Sequence, residues 1–374
     1  LFFENVIIHA ENFLNKKVIN KKVIDMTKLT IKEIAREAGV SVSTVSRVLN
    51  HPEIVSPELC EKIRRIINDV GYTPNTFARS LKNKRSNIVG VIVTSLEVQF
   101  FADIVHVLGS ILNQHKIVMF VATHNDDPAQ EKVCVEAMIE MQVDAILVAT
   151  TNANDNYLQS VSNSGIPIIL LDRSSKLKDF VTVHTDKENG YYALMNHLYE
   201  CGSRNFYLVT GGTDILTNYE RFQGAARFVF EKNLPLDSLQ CYYGDFTVEY
   251  GYRCCEKILS ENPANTVAIL AGSANIAAGV YKYCLENSIS IPDKVSVVAL
   301  GTFKNDFLVK PKLTYLRDMR DELGKMAADI ILDLLFKKKT LEEIQSCDYC
   351  LQSEIVYGES TGKIKKQQNS AEYQ

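Results

Sequence analysis

No apolar run in this 374-residue chain approaches the ~18 residues that a membrane-spanning helix needs, so no span is expected. The opening "LFFENVIIHAENFLNKK" is interrupted by Glu4, Asn5, His9, Glu11 and Asn12, which does not fit a secretory signal, and the cytoplasm is the expected compartment. Nine cysteines, an odd number spread along the chain, do not make a secreted disulfide framework and are expected as reduced thiols. Adjacent Cys254 and Cys255 read as helix packing residues, while Cys347 and Cys350 in "CDYC" have metal or redox spacing. With no second CxxC or close histidine pair beside them, no metal site is expected. Signatures of catalysis are missing as well. "VTGGTD" at 209–214 lacks GxGxxG, and there is no Walker loop, GxSxG or HExxH. The seven histidines, His106, His124 and His184 among them, are scattered. Neither an enzyme nor a cofactor is expected, and no solenoid repeat is present.

What is present is uneven in charge. The whole chain is at -4, yet residues 26–86 hold eleven Lys or Arg against six Asp or Glu, net +5. Residues 1–25 hold four against three, so the remainder carries 26 against 36, net -10. A small basic head on an acidic body suits a head that meets a polyanion. At 46% apolar and 23% charged, a chain of this length suits two or three folded domains.

The basic head is also strongly patterned. In "TIKEIAREAG", Thr30 and Glu33 can form a capping box, Ile31, Ile34, Ala35 and Ala38 mark one helical face, and Gly39 ends the helix. Ser41 caps a second helix whose Val45, Val48 and Leu49 face inward. "SPELCEKIRRIINDVGY" reads as a third, from Ser56 and Pro57 to Gly71, with Leu59, Ile63, Ile66, Ile67 and Val70 apolar. Three short helices with a glycine turn between the first two spell helix-turn-helix. The second helix offers Ser41, Ser43, Thr44, Ser46, Arg47 and Asn50, donors without a carboxylate, as base edges and phosphates require.

After the basic stretch "NTFARSLKNKRSN" the pattern changes. "IVGVIV", "KIVMFVAT", "DAILVAT", "IPIILLD", "NFYLVTGG", "TVAILAG" and "VSVVALG" are apolar runs bounded by turn residues and separated by amphipathic helices. They predict parallel strands covered on both faces, enough for two sheets and hence two α/β lobes.

From about Met26 to Gly358 the chain resembles the lactose repressor family of bacterial transcription regulators. The resemblance rests on "TIKEIAREAGVSVSTVSRVLN", "VSPELCEKIRRIINDVGYTPNTFARSL", "FFADIV", "LLDR", "RFQG", "GDFT" and "IPDKVSVVALG", in that family's order and spacing. It implies an all-α helix-turn-helix head, a hinge helix, and a two-lobed α/β core like that of periplasmic sugar-binding proteins. The expected organisation begins with an extension over residues 1–25 before a start at Met26. A helix-turn-helix domain over 26–73, a hinge and linker over 74–86, an effector-binding and dimerising core over 87–358 and a polar tail over 359–374 follow. The first lobe would take about 87–185 and 317–344 and the second about 186–316 and 345–358, with crossings near 186, 316 and 345.

By that resemblance Val42, Ser43 and Arg47 read bases. Arg47 suits guanine and Val42 a thymine methyl, with Ser41, Thr44, Ser46 and Asn50 on phosphates. Asn75, Ala78, Leu81 and Lys82 would contact DNA from the hinge, Leu81 wedging into the minor groove. In the core, Arg221 of "RFQG" would grip a small-molecule effector, with Asp172 of "LLDR", His184 and Phe246 of "GDFT" nearby. The family's usual Asn-Asp pair is Ser273 and Ala274 here, its acid after "VSVVALG" is replaced by Thr302 and Phe303, and its glutamine after "LT" by Asp318. A sugar or sugar derivative is the expected effector, with Asp172 and Asp318 accepting hydroxyl donors. The expected protein is a homodimer on a palindromic double-stranded operator, since the tail lacks a leucine heptad. A global catabolite regulator with a phosphocarrier protein as corepressor is the alternative; a solute-binding protein would need an export signal and no head.

Overall fold

The computed structural model describes residues 30–69, 85–177, 179–345 and 349–362. Two units divide the chain, one up to Lys84 and one from Arg85 on. In the first, local signals set the helices α1 (Ile31–Ala38), α2 (Val42–Asn50) and α3 (Pro57–Asp69). Glu33 reaches back to accept from the Thr30 N–H at 2.5 Å, which fixes the start of α1. Gly39, at φ 70°, lets the chain turn out of α1 with Val40 N–H returning to Ala35 O at 2.9 Å. The Ser41 hydroxyl then accepts from Thr44 N–H and starts α2. Lys62 of α3 donates to Ala38 O at 2.9 Å, covering a carbonyl that the end of α1 leaves open. Ile34, Ala35, Ala38, Val45, Val48, Cys60 and Ile63 meet in one small core. Burying each large aliphatic among them contributes about 1.5–3 kcal/mol.

The second unit holds two six-stranded sheets. The first lobe begins with β1 (Ile88–Val93), α4 (Gln99–Gln114), β2 (Val118–Thr123), α5 (Pro128–Glu140), β3 (Ala145–Val148), α6 (Asp155–Asn163), β4 (Ile168–Leu171) and β5 (Val181–Thr185). The second lobe contains α7 (Lys187–Glu200), β6 (Phe206–Gly211), α8 (Leu216–Glu231), β7 (Leu239–Gly244) and α9 (Val248–Glu261). It continues through β8 (Val267–Ala271), α10 (Ala274–Glu286), β9 (Val295–Leu300) and β10 (Thr314–Leu316). The chain then returns through α11 (Arg320–Leu335), α12 (Leu341–Gln345), β11 (Tyr349–Leu351) and β12 (Ile355–Val356). The sheet orders are β11-β5-β4-β3-β1-β2 and β12-β10-β9-β8-β6-β7; all neighbours are parallel except β10 with β12.

β3 and β4 are buried along their whole length, as strands covered on both faces must be, which is why they read as unbroken apolar runs. The Gly224 of "RFQG" lets α8 lie on α7, because a Cβ there would overlap the Glu188 carbonyl. Cys254 and Cys255 are buried in the second-lobe core.

Two expectations are corrected. The third crossing does not fall near 345: Tyr349, Cys350 and Leu351 pair with Val183, His184 and Thr185, so α12 is followed by a sixth strand of the first sheet. Only β12 belongs to the second lobe, and the edge of β5 left open by β4 supplies the reason for the extra strand. Nor does a polar tail begin at 359. Ser360 is fully buried: its hydroxyl donates to Val297 O at 2.6 Å and accepts from Thr314 N–H at 2.8 Å, tying β9 to β10. Thr361 meets His197 Nε2 at 2.9 Å in α7. These polar residues are inside because each hydroxyl satisfies backbone or side-chain groups that would otherwise be orphaned.

Candidate nucleic-acid interface and effector cleft

On α2, Ser43 and Arg47 lie one turn apart on an exposed face, opposite buried Val45 and Val48. Val42 is 41% exposed beside them, unusual for a valine in a small helical unit and suited to an apolar contact outside it. The Ser41 hydroxyl is committed as a cap and lies 2.7 Å from Ser43 Oγ and 2.8 Å from Thr44 Oγ1. Ser46 and Thr44 are half-buried, and Asn50 ends the helix. No acid stands in the first turn of α2, whose amide dipoles therefore remain available to an anion. Asn75, Ala78, Leu81 and Lys82 lie outside the described residues.

In the core, each sheet reverses its winding once, between β1 and β3 and between β6 and β8. Ligands of open α/β sheets settle outside the carboxyl ends of strands at such points. On the second lobe that position carries Gly211 and Gly272. A Cβ on Gly211 would run into the Phe246 ring, and one on Gly272 would stand 2.6 Å from Thr210 Oγ1.

Arg221 of α8 is 5% exposed, with the half-buried Phe246 ring centred 5.4 Å from its guanidinium carbon. Its Nη1 donates to Asn218 Oδ1, and the Tyr191 hydroxyl, pushed up by burial, lies against it. The buried Nε has no partner among the described residues. Asp172, at the end of β4 with φ 64°, faces across from the first lobe. Lys187, the first residue of α7, donates to Asp172 Oδ1 at 2.9 Å and to Asp172 O at 2.9 Å. Burial opposes ionisation of Asp172, but the Lys187 ammonium outweighs it and holds the carboxyl below its usual range.

Further along the cleft a cavity of about 380 Å³ is lined by Gln99 and Asp103 of α4, Thr302 and Phe303 after β9, and Asp318 and Arg320. Phe303 packs edge-on against Tyr281 at 5.4 Å as part of the wall. Asp318 lines this cavity with its carboxylate held by an arginine. Arg320 donates Nε to Oδ1 at 2.9 Å and Nη2 to Oδ2, and also reaches Asp103 at 2.7 Å, so the carboxylate is neutralised in place. Ser273 caps α10 through Ile276 N–H rather than projecting free. His184 stands opposite Cys350 and close to Asp186 at the first crossing, outside the residues lining the cavity. His124 is a packing residue: Nδ1 accepts from Asp126 N–H, Nε2 donates to Ala149 O at 2.8 Å, and burial lowers its pKa. His106 is exposed on α4.

Lys187, Asn218, Arg320 and Asn152 have no counterpart in the sequence reading. Asn152, at φ 66°, accepts from Leu216 N–H at 3.0 Å across the cleft, while its amide donates to Ser174 O at 2.8 Å. Ser174 in turn donates to Glu220 at 2.7 Å, so Asn152 and Ser174 both bridge to α8 of the other lobe, in addition to the Lys187–Asp172 pair. Asn218 alone had a local signal, lying one turn before Arg221.

A helix-turn-helix unit followed by a two-lobed α/β core with a polar cleft defines a DNA-binding regulator equipped to sense a small molecule. The chain belongs to the LacI family of bacterial regulatory proteins. Residues 30–75 match "Bacterial regulatory proteins, lacI family", and residues 86–352 match "Periplasmic binding proteins and sugar binding domain of LacI family". It is 27% identical over 334 residues to catabolite control protein A of Priestia megaterium, covering 89% of this chain and 99% of that one. It is 28% identical over 310 residues to the transcriptional repressor PurR of Haemophilus influenzae, covering 83% and 92%. The crystal structure of the Lac repressor dimer bound to operator and the anti-inducer ONPF superposes with a TM-score of 0.73 at 22% identity, over 90% of this chain and all of that one. The relatives are named transcription regulators, and regulation of transcription rather than catalysis is the function of this chain.

Proposed function

We propose that the protein represses genes of carbohydrate metabolism in the cytoplasm, as a homodimer on a palindromic operator, and that a sugar or sugar derivative between the lobes controls it. Buried Arg221 carries the effector reading: a guanidinium beside Phe246, its Nε without a partner among the described residues, at the point where strand order reverses. Leaving such a donor unsatisfied is costly, and a ligand oxygen removes the cost. Val42, Ser43 and Arg47 are the base readers of this proposal. The dimer reading is supported by edge strand β2, which exposes Val118 and Phe120 at 54% and 41%, an apolar edge that a monomer would be expected to blunt.

Because hydrogen bonds already join the lobes, the effector acts by binding one interlobe angle better than the other; tight binding alone shifts nothing. Calorimetry with sugars and sugar phosphates on wild type and Arg221→Ala, followed by operator binding with each hit, tests the reading. A hit that binds Arg221→Ala equally well, or leaves operator affinity unchanged when saturating, defeats it. The similarity to a catabolite control protein favours a second reading, a phosphocarrier protein as corepressor. Pull-down of the phosphorylated carrier against a metabolite thermal-shift screen separates the two.

A further inference from the structure

We infer that the effector carries an anionic group, a carboxylate or a phosphate monoester on a polyol, and that this group seats on Arg221. The inference rests on the cleft being the effector site and narrows what that site accepts. The other buried charges near the cleft have partners. Lys187 is held by Asp172, and Arg173 donates to Asp126 at 2.6 Å. Arg320 lies between Asp318 and Asp103. The buried carboxylates have donors too: Glu131 takes Thr151 and Asn154, and Asp155 takes Thr150 and Ser175. Glu220, on the same helix as Arg221, is turned to Ser174.

Arg221 is the exception. Its direct neighbours are an amide and a phenol, Asn218 and Tyr191, both neutral, and among the described residues no carboxylate stands within ion-pair distance of it. Asp172, whose carboxyl feels the Arg221 charge, is already bound by Lys187. Asn218 cannot be flipped to suit other partners, because its Nδ2 donates to Gly212 O at 2.7 Å and its Oδ1 accepts from Thr210 at 3.1 Å. An aspartate of the same shape would have supplied the missing charge, whereas the amide leaves it open.

Neutral vicinal hydroxyls would satisfy the N–H groups but not the charge. An anion does both, in the bidentate geometry to which a guanidinium is preformed. The glycine at 211 lets the Phe246 ring pack close to the strand end, where a Cβ would collide with it, and that ring, beside the guanidinium, supplies a flat apolar face for the carbon skeleton.

The test is calorimetry on the full chain with galacturonate, gluconate, glucose 6-phosphate and inorganic phosphate, each sugar anion beside its neutral parent, at low and high salt. At least one anion is expected to bind about tenfold or more tighter than its parent. That preference should weaken with salt and disappear in both Arg221→Gln and Asn218→Asp, the second of which provides an internal counter-charge. Melting curves confirm that each variant is folded. The carboxylate and phosphate arms identify which anion is used. If neutral sugars bind as tightly as the best anion and both need Arg221, the cleft reading stands and this inference is overturned. It is equally overturned if no anion in the set binds wild type better than Arg221→Gln. Tight binding that ignores Arg221→Gln removes the cleft reading along with it.

Discussion

Replacing Asn152 by glycine removes one hydrogen bond between the lobes, from Leu216 N–H, together with one inside the first lobe, to Ser174 O. Helix α8 begins without a capping side chain of its own: its N-cap is Ile215 and supplies no oxygen. Asn152, from the other lobe, accepts from Leu216 N–H at 3.0 Å instead. Glycine keeps the backbone at φ 66° free of strain, which alanine would not, so Asn152→Gly removes only the side chain. Losing a cap of this kind costs about 1 kcal/mol. The Ser174 bond is lost from both states and cancels, whereas the Leu216 bond exists only in the joined state, so the ratio of separated to joined lobes should rise about fivefold. Hydrogen exchange of the Leu216 amide reads this directly and should accelerate by a similar factor, while the melting temperature of the core barely moves. Effector at saturation should restore most of the protection. An unchanged Leu216 exchange rate refutes the reasoning, as would a core melting shift of the size that a folding defect produces.

Four further outcomes are expected. Arg47→Ala should lose about 1–3 kcal/mol at one base pair of each half-site, and Lys82→Ala should weaken all sequences alike and lower the salt slope, both measured by operator titration at several salt concentrations. Ser360→Ala leaves the buried Thr314 N–H without its partner and should cost about 1–3 kcal/mol in denaturant unfolding. Gly224→Ala should force α8 off α7 and cost at least about 1–3 kcal/mol by the same measurement. Asp172 has a folded pKa below its unfolded value of about 3.9, so the Lys187 pair stabilises fully above that pH and is lost as pH falls through the folded value. Acid unfolding should show this, and Lys187→Met, which strands a buried carboxylate, should raise the Asp172 pKa, read by carboxyl NMR, and so shrink or abolish this acid-dependent stabilisation.

The helix-turn-helix was legible because its signals are local: a capping box, a left-handed glycine and a serine cap each act within four residues. The strands β1, β3, β4, β6, β8 and β9 were legible for a different reason, burial on both faces, which leaves an unbroken apolar run. β5, with Thr182 and His184, and β7, with Gln240, carry polar residues in their runs and were not singled out. β10, β11 and β12 have two or three residues and exist only through their pairing partners. Arg221 and Phe246 come together as the family pattern implied. The pairing of Asp318 with Arg320 was not legible, because nothing in "LRDMRDE" says that two residues on the arginine will turn back. Lys187 follows a helix cap and reads as an exposed first-turn residue; only the approach of the other lobe buries it.

The three crossings also decide when this protein can be completed during synthesis. The first sheet has five of its strands by Thr185 but needs α11 and β11, more than a hundred residues later, to cover Leu108 and to finish its edge. The second needs β12 and the Ser360 hydroxyl, which reach it only after the chain has passed back through the first lobe. Neither lobe is therefore a contiguous stretch that a ribosome could release to fold alone. The head has its three helices by Asp69. A growing chain thus carries a finished DNA-reading unit ahead of an unfinished core, and contact with DNA can precede any ability to respond to effector.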